Sequence, residues 1–244
     1  MGDAPFIGYE EARGKAFSLF SECYRLPHED LPNVLRNLHA IIGDLCEGAV
    51  QHISRMREES ERKDHLVDLK ADYARLFSGP YTLLAPPYGS VYLDGERKVM
   101  GDSTVEVRGT YRRAGLDISE DFHDAPDHIA AELEFMYFLI FKEVEALKES
   151  DVGRAIDFLS QQKAFLTDHL CAWGPQFTER VEEAAATGFY KNLARATRDF
   201  LEENLTVLLN LLNGEKHHFA EMGIEETSPK AEGRTGEGRV TQVT

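Results

Sequence analysis

The chain has 244 residues, 42% of them hydrophobic, and a formal net charge of −16 from 43 acidic and 27 basic residues. That length is enough to bury a sizeable core. So acidic a balance excludes nucleic acid as a direct partner, because phosphate binding needs a basic surface; it suits a basic partner, although acidic surface serves solubility equally well.

The N-terminal sequence MGDAPFIGYEEARGKAF lacks a basic region followed by an apolar run, so it does not read as a secretory signal. Phe6 breaks the myristoylation pattern. Ala12, Ala16, Leu19, Phe20 and Cys23 then recur at helical spacing and predict the first helix. LPHEDLP interrupts it, and Asp30 with Pro32 forms a helix start. The next helix carries Leu31, Val34, Leu35, Leu38, Ile41, Ile42 and Leu45, and its pattern runs on through Ala49 and Ile53. RMREESERKD is a charged helix end and turn, after which Leu66, Leu69, Tyr73, Leu76 and Phe77 predict a helix stopping at Ser78-Gly79-Pro80.

Between Gly79 and Pro126 regularity weakens. The run TLLAPPYGSVY is too apolar and aromatic for an idle connector. Its prolines and tyrosines either rigidify a surface loop and cover the end of a helical bundle, or form a preorganised ledge for an apolar peptide. Ser103 and Glu106 have capping-box spacing ahead of Val107 and Tyr111, and AGLDISEDFHDAP reads as a linker. Asp124, Pro126 and Asp127 mark a strong helix start. The helix behind it contains the longest apolar run, Phe135 to Phe141, which is far short of the roughly 20 residues of a membrane span. Apolar residues on both of its sides predict burial nearly all round. A helix after Asp151 is expected to end at CAWGP, a short one holds Phe177, Val181 and Ala184, and the last runs from about Phe189 to Leu212. The Gly- and Glu-rich remainder reads as a disordered tail.

The expected fold is therefore all-α, with about eight to ten helices. It divides into an N-terminal lobe (1–78), a connecting seam (79–126), a C-terminal lobe (127–213) and the tail (214–244). Cys23, Cys46 and Cys171 are scattered, which fits neither a disulfide framework nor a zinc site and points to a reducing, cytoplasmic setting.

No phosphate loop, nucleophile elbow or H-E-x-x-H motif is present, so nothing marks an enzyme. The most polar cluster is Asp124, Asp127, His128 and Glu132 at one helix N-terminus. Three readings stay open: the two Asp cap the helix while His128 pairs with Glu132; the cluster ligates a metal, as a small hydrolase drawing also on His123 would require; or its carboxylates receive a guanidinium.

YARLFSGPYTLLAPPYGSVY and APDHIAAELEFM resemble the two signature stretches of the TorD/DmsD/NarJ redox-enzyme maturation chaperones. FLTDHLCAWGPQFTERVEEAAATGFYKNLA is similar to the family's C-terminal helices, and the likeness runs from Tyr9 to Leu212, nearest the TorD/DmsD branch. The resemblance implies a cytoplasmic, all-helical chaperone without catalytic activity or a cofactor of its own. It would bind the twin-arginine leader and apo-form of a molybdopterin-dependent reductase catalytic subunit and delay export until cofactors are in place. It also implies a leader site of Pro126, Asp127 and His128 with Asp124 and Glu132, facing a ledge of Ala85, Pro86, Pro87, Tyr88 and Tyr92 anchored by Tyr73 and Phe77. Ala125 stands where many members carry Glu, one residue after Asp124. Weak guanine-nucleotide binding follows from the resemblance alone. A monomer or a domain-swapped dimer is expected, the seam serving as hinge.

Overall fold

Alternating apolar and charged positions at helical spacing produce helices almost throughout the computed structural model, as the all-α reading expects. It describes residues 3–62, 64–79, 82–94, 100–116 and 125–221, with backbone alone at 3–4 and 213–221. α1 (Asp3–Cys23) is followed by α2 (Leu31–Ile42) and α3 (Glu47–Ser60). The apolar pattern that seemed continuous across these two breaks at residues 43–46, where Leu45 and Cys46 turn back onto the Ile42 carbonyl. α4 (His65–Tyr73) runs into a π-helical turn (Ala74–Ser78). The irregular segment behind it carries the short α5 (Ser90–Leu93) and then α6 (Asp102–Arg113). α7 (Ile129–Lys148) and α8 (Val152–Phe165) follow. A second π turn (Leu166–Leu170) leads directly into α9 (Cys171–Ala184), and α10 (Gly188–Glu221) closes the chain.

Three expected boundaries move, each for a local reason. Ser103 lies in the first turn of α6 instead of capping it, and Asp94 accepts from the Ser103 N–H and hydroxyl. α7 begins at Ile129, with the His128 ring Nδ1 accepting from the Ala130 N–H at 3.1 Å; Asp124 and His123 lie outside the described residues. CAWGP does not end a helix, because Pro175 sits inside α9. The π turn just ahead of it already departs from regular α hydrogen bonding, so the missing proline N–H is accommodated there. The final helix also outruns Leu212, and residues 222–244 lie outside the described set.

α7 packs against α1 on one side and α8 on the other, while α10 packs against α3 and α9. One apolar core joins them. Phe20 stacks on Phe200, and Phe77 contacts Tyr24, Phe177 and Tyr190. Burying large side chains of this kind stabilises by about 1.5–3 kcal/mol each. α7 is less enclosed than expected: Tyr137 and Phe141 are exposed, with the Lys142 ammonium 5.6 Å from the Phe141 ring centre.

A polar group that the sequence reading missed crosses this core. Arg13 on α1 is buried and donates to Glu10, to Gln162 on α8 and to Asn204 on α10, with Glu143 of α7 at 3.5 Å. Gln162 Nε2 in turn donates to Glu143 at 2.7 Å. Burial, with Glu10 nearby, pushes the Glu143 carboxyl up to about 8.

Candidate functional site

The Tyr73–Tyr92 stretch is shaped by what its backbone has to clear. Gly79 passes so close to the Ala74 carbonyl that an added Cβ would lie 2.7 Å from that oxygen. The chain therefore turns sharply out of the π turn, and the Ala85 N–H returns to the Leu76 carbonyl at 3.1 Å. Phe77 is buried, and Tyr73 packs edge-on against it at 5.3 Å, so the two anchor the helix end in the core.

The proline ledge and the Pro126–Glu132 loop come together as one hydrogen-bonded unit. Ile129 N–H donates to the Pro87 carbonyl and Gly89 N–H to the Asp127 carbonyl, both at 2.9 Å. These two bonds flank an isolated antiparallel bridge between Tyr88 and His128, whose rings meet edge-on at 5.3 Å. Asp127 Oδ2 accepts from the Ser90 N–H at 2.8 Å. Tyr111 hydroxyl donates to the Pro126 carbonyl and Tyr92 hydroxyl to the Pro86 carbonyl. Ala85 is fully enclosed.

The carboxylates do not stand at the surface. Asp127 is 0% and Glu132 1% exposed, and His128 is buried as well. The reading in which they face outward to receive a guanidinium is corrected for these atoms: Asp127 is turned inward onto Ser90, and Glu132 accepts from the Trp173 indole N–H at 3.0 Å. His128 Nδ1 caps α7, while the Glu132 carboxyl turns to Trp173. Among the described residues no group of three or more His, Cys, Asp or Glu could hold a metal.

Burial, reinforced by neighbouring Asp127 and opposed by the Trp173 hydrogen bond, drives the Glu132 carboxyl well above the usual range. A protonated Glu132 is mimicked by an amide. Glu132→Gln is expected to change stability by less than about 1 kcal/mol, whereas Glu132→Leu, which orphans the indole N–H, costs about 1–3 kcal/mol; urea unfolding of the two variants at neutral pH checks this. Gly89 lies under the same indole, where an added Cβ would be 3.1 Å from Trp173 Nε1. Gly89→Ala is expected to cost about 1–3 kcal/mol by overpacking, read as a lowered melting temperature.

Beside this unit runs an open groove of about 610 Å³. Thr82, Leu83, Leu84, Pro86 and Val91 form one side, and Arg180, Glu183 and Ala184 of α9 the other. The Arg180 guanidinium lies 5.0 Å over the Tyr92 ring, which itself stacks on Trp173. Of the site residues read from the sequence, Pro86 lines this groove and Tyr92 supports it. Sequence reasoning missed the contribution of α9; the apolar pair Leu83-Leu84 beside two prolines, with Leu84 exposed, was its one legible sign.

An all-helical bundle with this ledge clasped to the start of α7 defines a class that the comparisons identify. The chain belongs to the nitrate reductase delta subunit family, whose model matches residues 31–179, and the likeness to the TorD/DmsD/NarJ chaperones is thereby borne out. The chaperone protein TorD of Aliivibrio salmonicida is 27% identical over 165 residues, 68% of this chain and 75% of the relative. The protein of the same name from Vibrio cholerae is 27% identical over 164 residues, 67% and 73% of the two chains. These relatives are named as chaperones, not as catalysts. A crystal structure from Archaeoglobus fulgidus, described as a candidate redox enzyme maturation protein, shares the fold with a TM-score of 0.51 at 24% identity, covering 78% of this chain and 93% of that one. Among the described residues no helix is long and apolar enough to cross a membrane.

Proposed function

We propose that the protein is a cytoplasmic maturation chaperone for a molybdopterin-dependent oxidoreductase of the dimethyl-sulfoxide-reductase type. It binds the twin-arginine leader and the apo-form of the catalytic subunit, assists cofactor insertion and delays export. The observation that carries this reading is the clasp between the proline ledge and the start of α7, standing beside an apolar groove. The net charge of −16 supports it, since a leader of this kind is basic and then apolar. In this reading Pro86, Tyr88 and Tyr92 shape the peptide surface, while Asp127, His128 and Glu132 hold it in position from inside.

The test is calorimetry of the full chain against twin-arginine leader peptides, with both arginines replaced by lysine as control. Binding that weakens in the control is expected; absence of binding to any leader, with no reductase co-purifying from the native host, would overturn the reading. Asp127→Asn should weaken leader binding by about 1–3 kcal/mol through a loosened loop, and unchanged affinity in a folded variant would remove Asp127 from the site.

A further inference from the structure

Another cavity, of about 340 Å³, opens between α6 and the end of α8. It shares no lining residue with the groove beside the ledge. Glu106, Thr110 and Arg113 fall on one face of α6 at helical spacing and form one wall. Phe165, Asp168 and His169 form the other, the last two within the π turn at Leu166–Leu170. Phe165 packs against Tyr111 of α6 at 6.1 Å and against the His169 ring at 4.8 Å, which closes the base with aromatic surface. Single π turns inside α-helices recur at functional sites.

His169 is 4% exposed, and its Nδ1 is enclosed without a hydrogen-bond partner. Nε2 is not enclosed and has no partner among the described residues either, so it is the ring nitrogen that meets the cavity. A proton on Nδ1 would be buried with nothing to accept it, which places the proton on Nε2 as a donor into the cavity. Burial lowers the pKa of the ring, opposed by Glu106 and Asp168 and assisted by Arg113, so the imidazole is neutral at neutral pH.

Among the described residues Glu106, Asp168 and Arg113 are the charged groups that line this cavity; all three are exposed and none enters an ion pair. Arg113 Nη2 donates to Thr110 Oγ1 at 2.8 Å, which turns its guanidinium back toward Glu106. Two carboxylates, one guanidinium and an N–H donor thus surround an aromatic base, in a volume that suits a small ligand.

We propose that this cavity binds a small zwitterion, an α-amino acid with an apolar side chain. Its ammonium meets Glu106 and Asp168, its carboxylate meets the Arg113 guanidinium and the His169 Nε2–H, and its side chain lies on Phe165. Such a ligand satisfies the imidazole and all three unpaired charges at once, whereas a simple cation or anion would leave one sign unmatched. Because Asp168 and His169 belong to the π turn, occupancy also holds the turn that leads into α9.

The probes are L-phenylalanine and L-leucine, titrated into the full chain by calorimetry at neutral pH. Both should bind and raise the melting temperature. N-acetyl-L-phenylalanine, which lacks the ammonium, and L-phenylalaninamide, which lacks the carboxylate, should each bind roughly tenfold more weakly or not at all. Arg113→Gln and Asp168→Asn, both at exposed positions, should each weaken L-phenylalanine binding roughly tenfold, with unchanged melting curves in its absence as the folding control. Long-range proton–nitrogen NMR of the imidazoles should find the His169 proton on Nε2. Absence of binding by both amino acids, undiminished binding of either blocked form, unchanged affinity in either variant, or a proton on Nδ1 would each overturn the proposal. None of these outcomes touches leader binding, whose residues lie elsewhere.

Discussion

Arg13→Met is expected to lower stability by about 3–5 kcal/mol, the range for stranding buried charges by removing their partner. Arg13 is 1% exposed, and its guanidinium serves Glu10, Glu143, Gln162 and Asn204 from four different helices. Methionine fills the space but leaves the two carboxyls facing each other without a cation. Urea unfolding at neutral pH measures the loss, and a change under about 1 kcal/mol would mean that the network contributes little. The same network gives stability a pH dependence whose sign is fixed. The folded Glu143 carboxyl is raised from the usual glutamate value of 4.5 to about 8, so the native state keeps a proton that the unfolded chain releases. Its contribution is complete below 4.5 and declines as pH rises through about 8. Glu143→Gln should flatten that decline and raise stability at the alkaline end.

Asp72→Ala should cost about 3 kcal/mol, for a different reason. Asp72 is 3% exposed and accepts from the Ala186 and Thr187 N–H groups, the Thr187 hydroxyl and Arg75. It ties the end of α4 to the turn joining α9 and α10, and alanine orphans those donors. Burial on its own would raise the carboxyl, but the hydrogen bonds from Thr187, Ala186 and Arg75 prevail and hold it below the usual value of 3.8. A depressed folded value means that the contribution is present above that value and is lost as the pH falls through the folded one. Wild type and Asp72→Ala should therefore converge in stability in strong acid. Because Arg75 also holds the Ala184 carbonyl at the edge of the groove, the variant should bind leader peptides more weakly even at temperatures where it remains folded.

Apolar spacing made the helices legible, since Ala16, Phe20, Leu133, Met136 and Leu208 could be placed inside from periodicity alone. What it hid were charged residues in phase with those stripes. Glu10 and Arg13 precede Phe17 and Phe20 at the same spacing, and Glu132 and Glu143 fall in register with Met136 and Ile140, yet their residue types read as solvent-facing. Phase, not polarity, decides which way a helical side chain points, and the buried position of Glu132 followed from it. The two signature segments, expected as facing walls of a cleft, are bonded directly to each other; the pairing between Tyr88 and His128 depends on the whole bundle closing, and no local pattern announces that. The α9 side of the groove was invisible for the same reason: Arg180 and Glu183 acquire meaning only where residues 82–91 come to lie.

The π turn at Leu166–Leu170 sets a rotational phase for everything that follows it. One extra residue per turn shifts the downstream helix by about 100° about its axis relative to an unbroken α-helix. Ala155, Leu159 and Phe165 face the core before the turn, and Trp173, Phe177 and Val181 face it after. Closing this turn into regular α geometry with all its residues kept would swing the second trio off the core. The indole over Gly89, the partner of Glu132 and the Arg180–Glu183 rim would turn with it, so the π geometry of this one turn keeps the site assembled by setting the clocking of one helix.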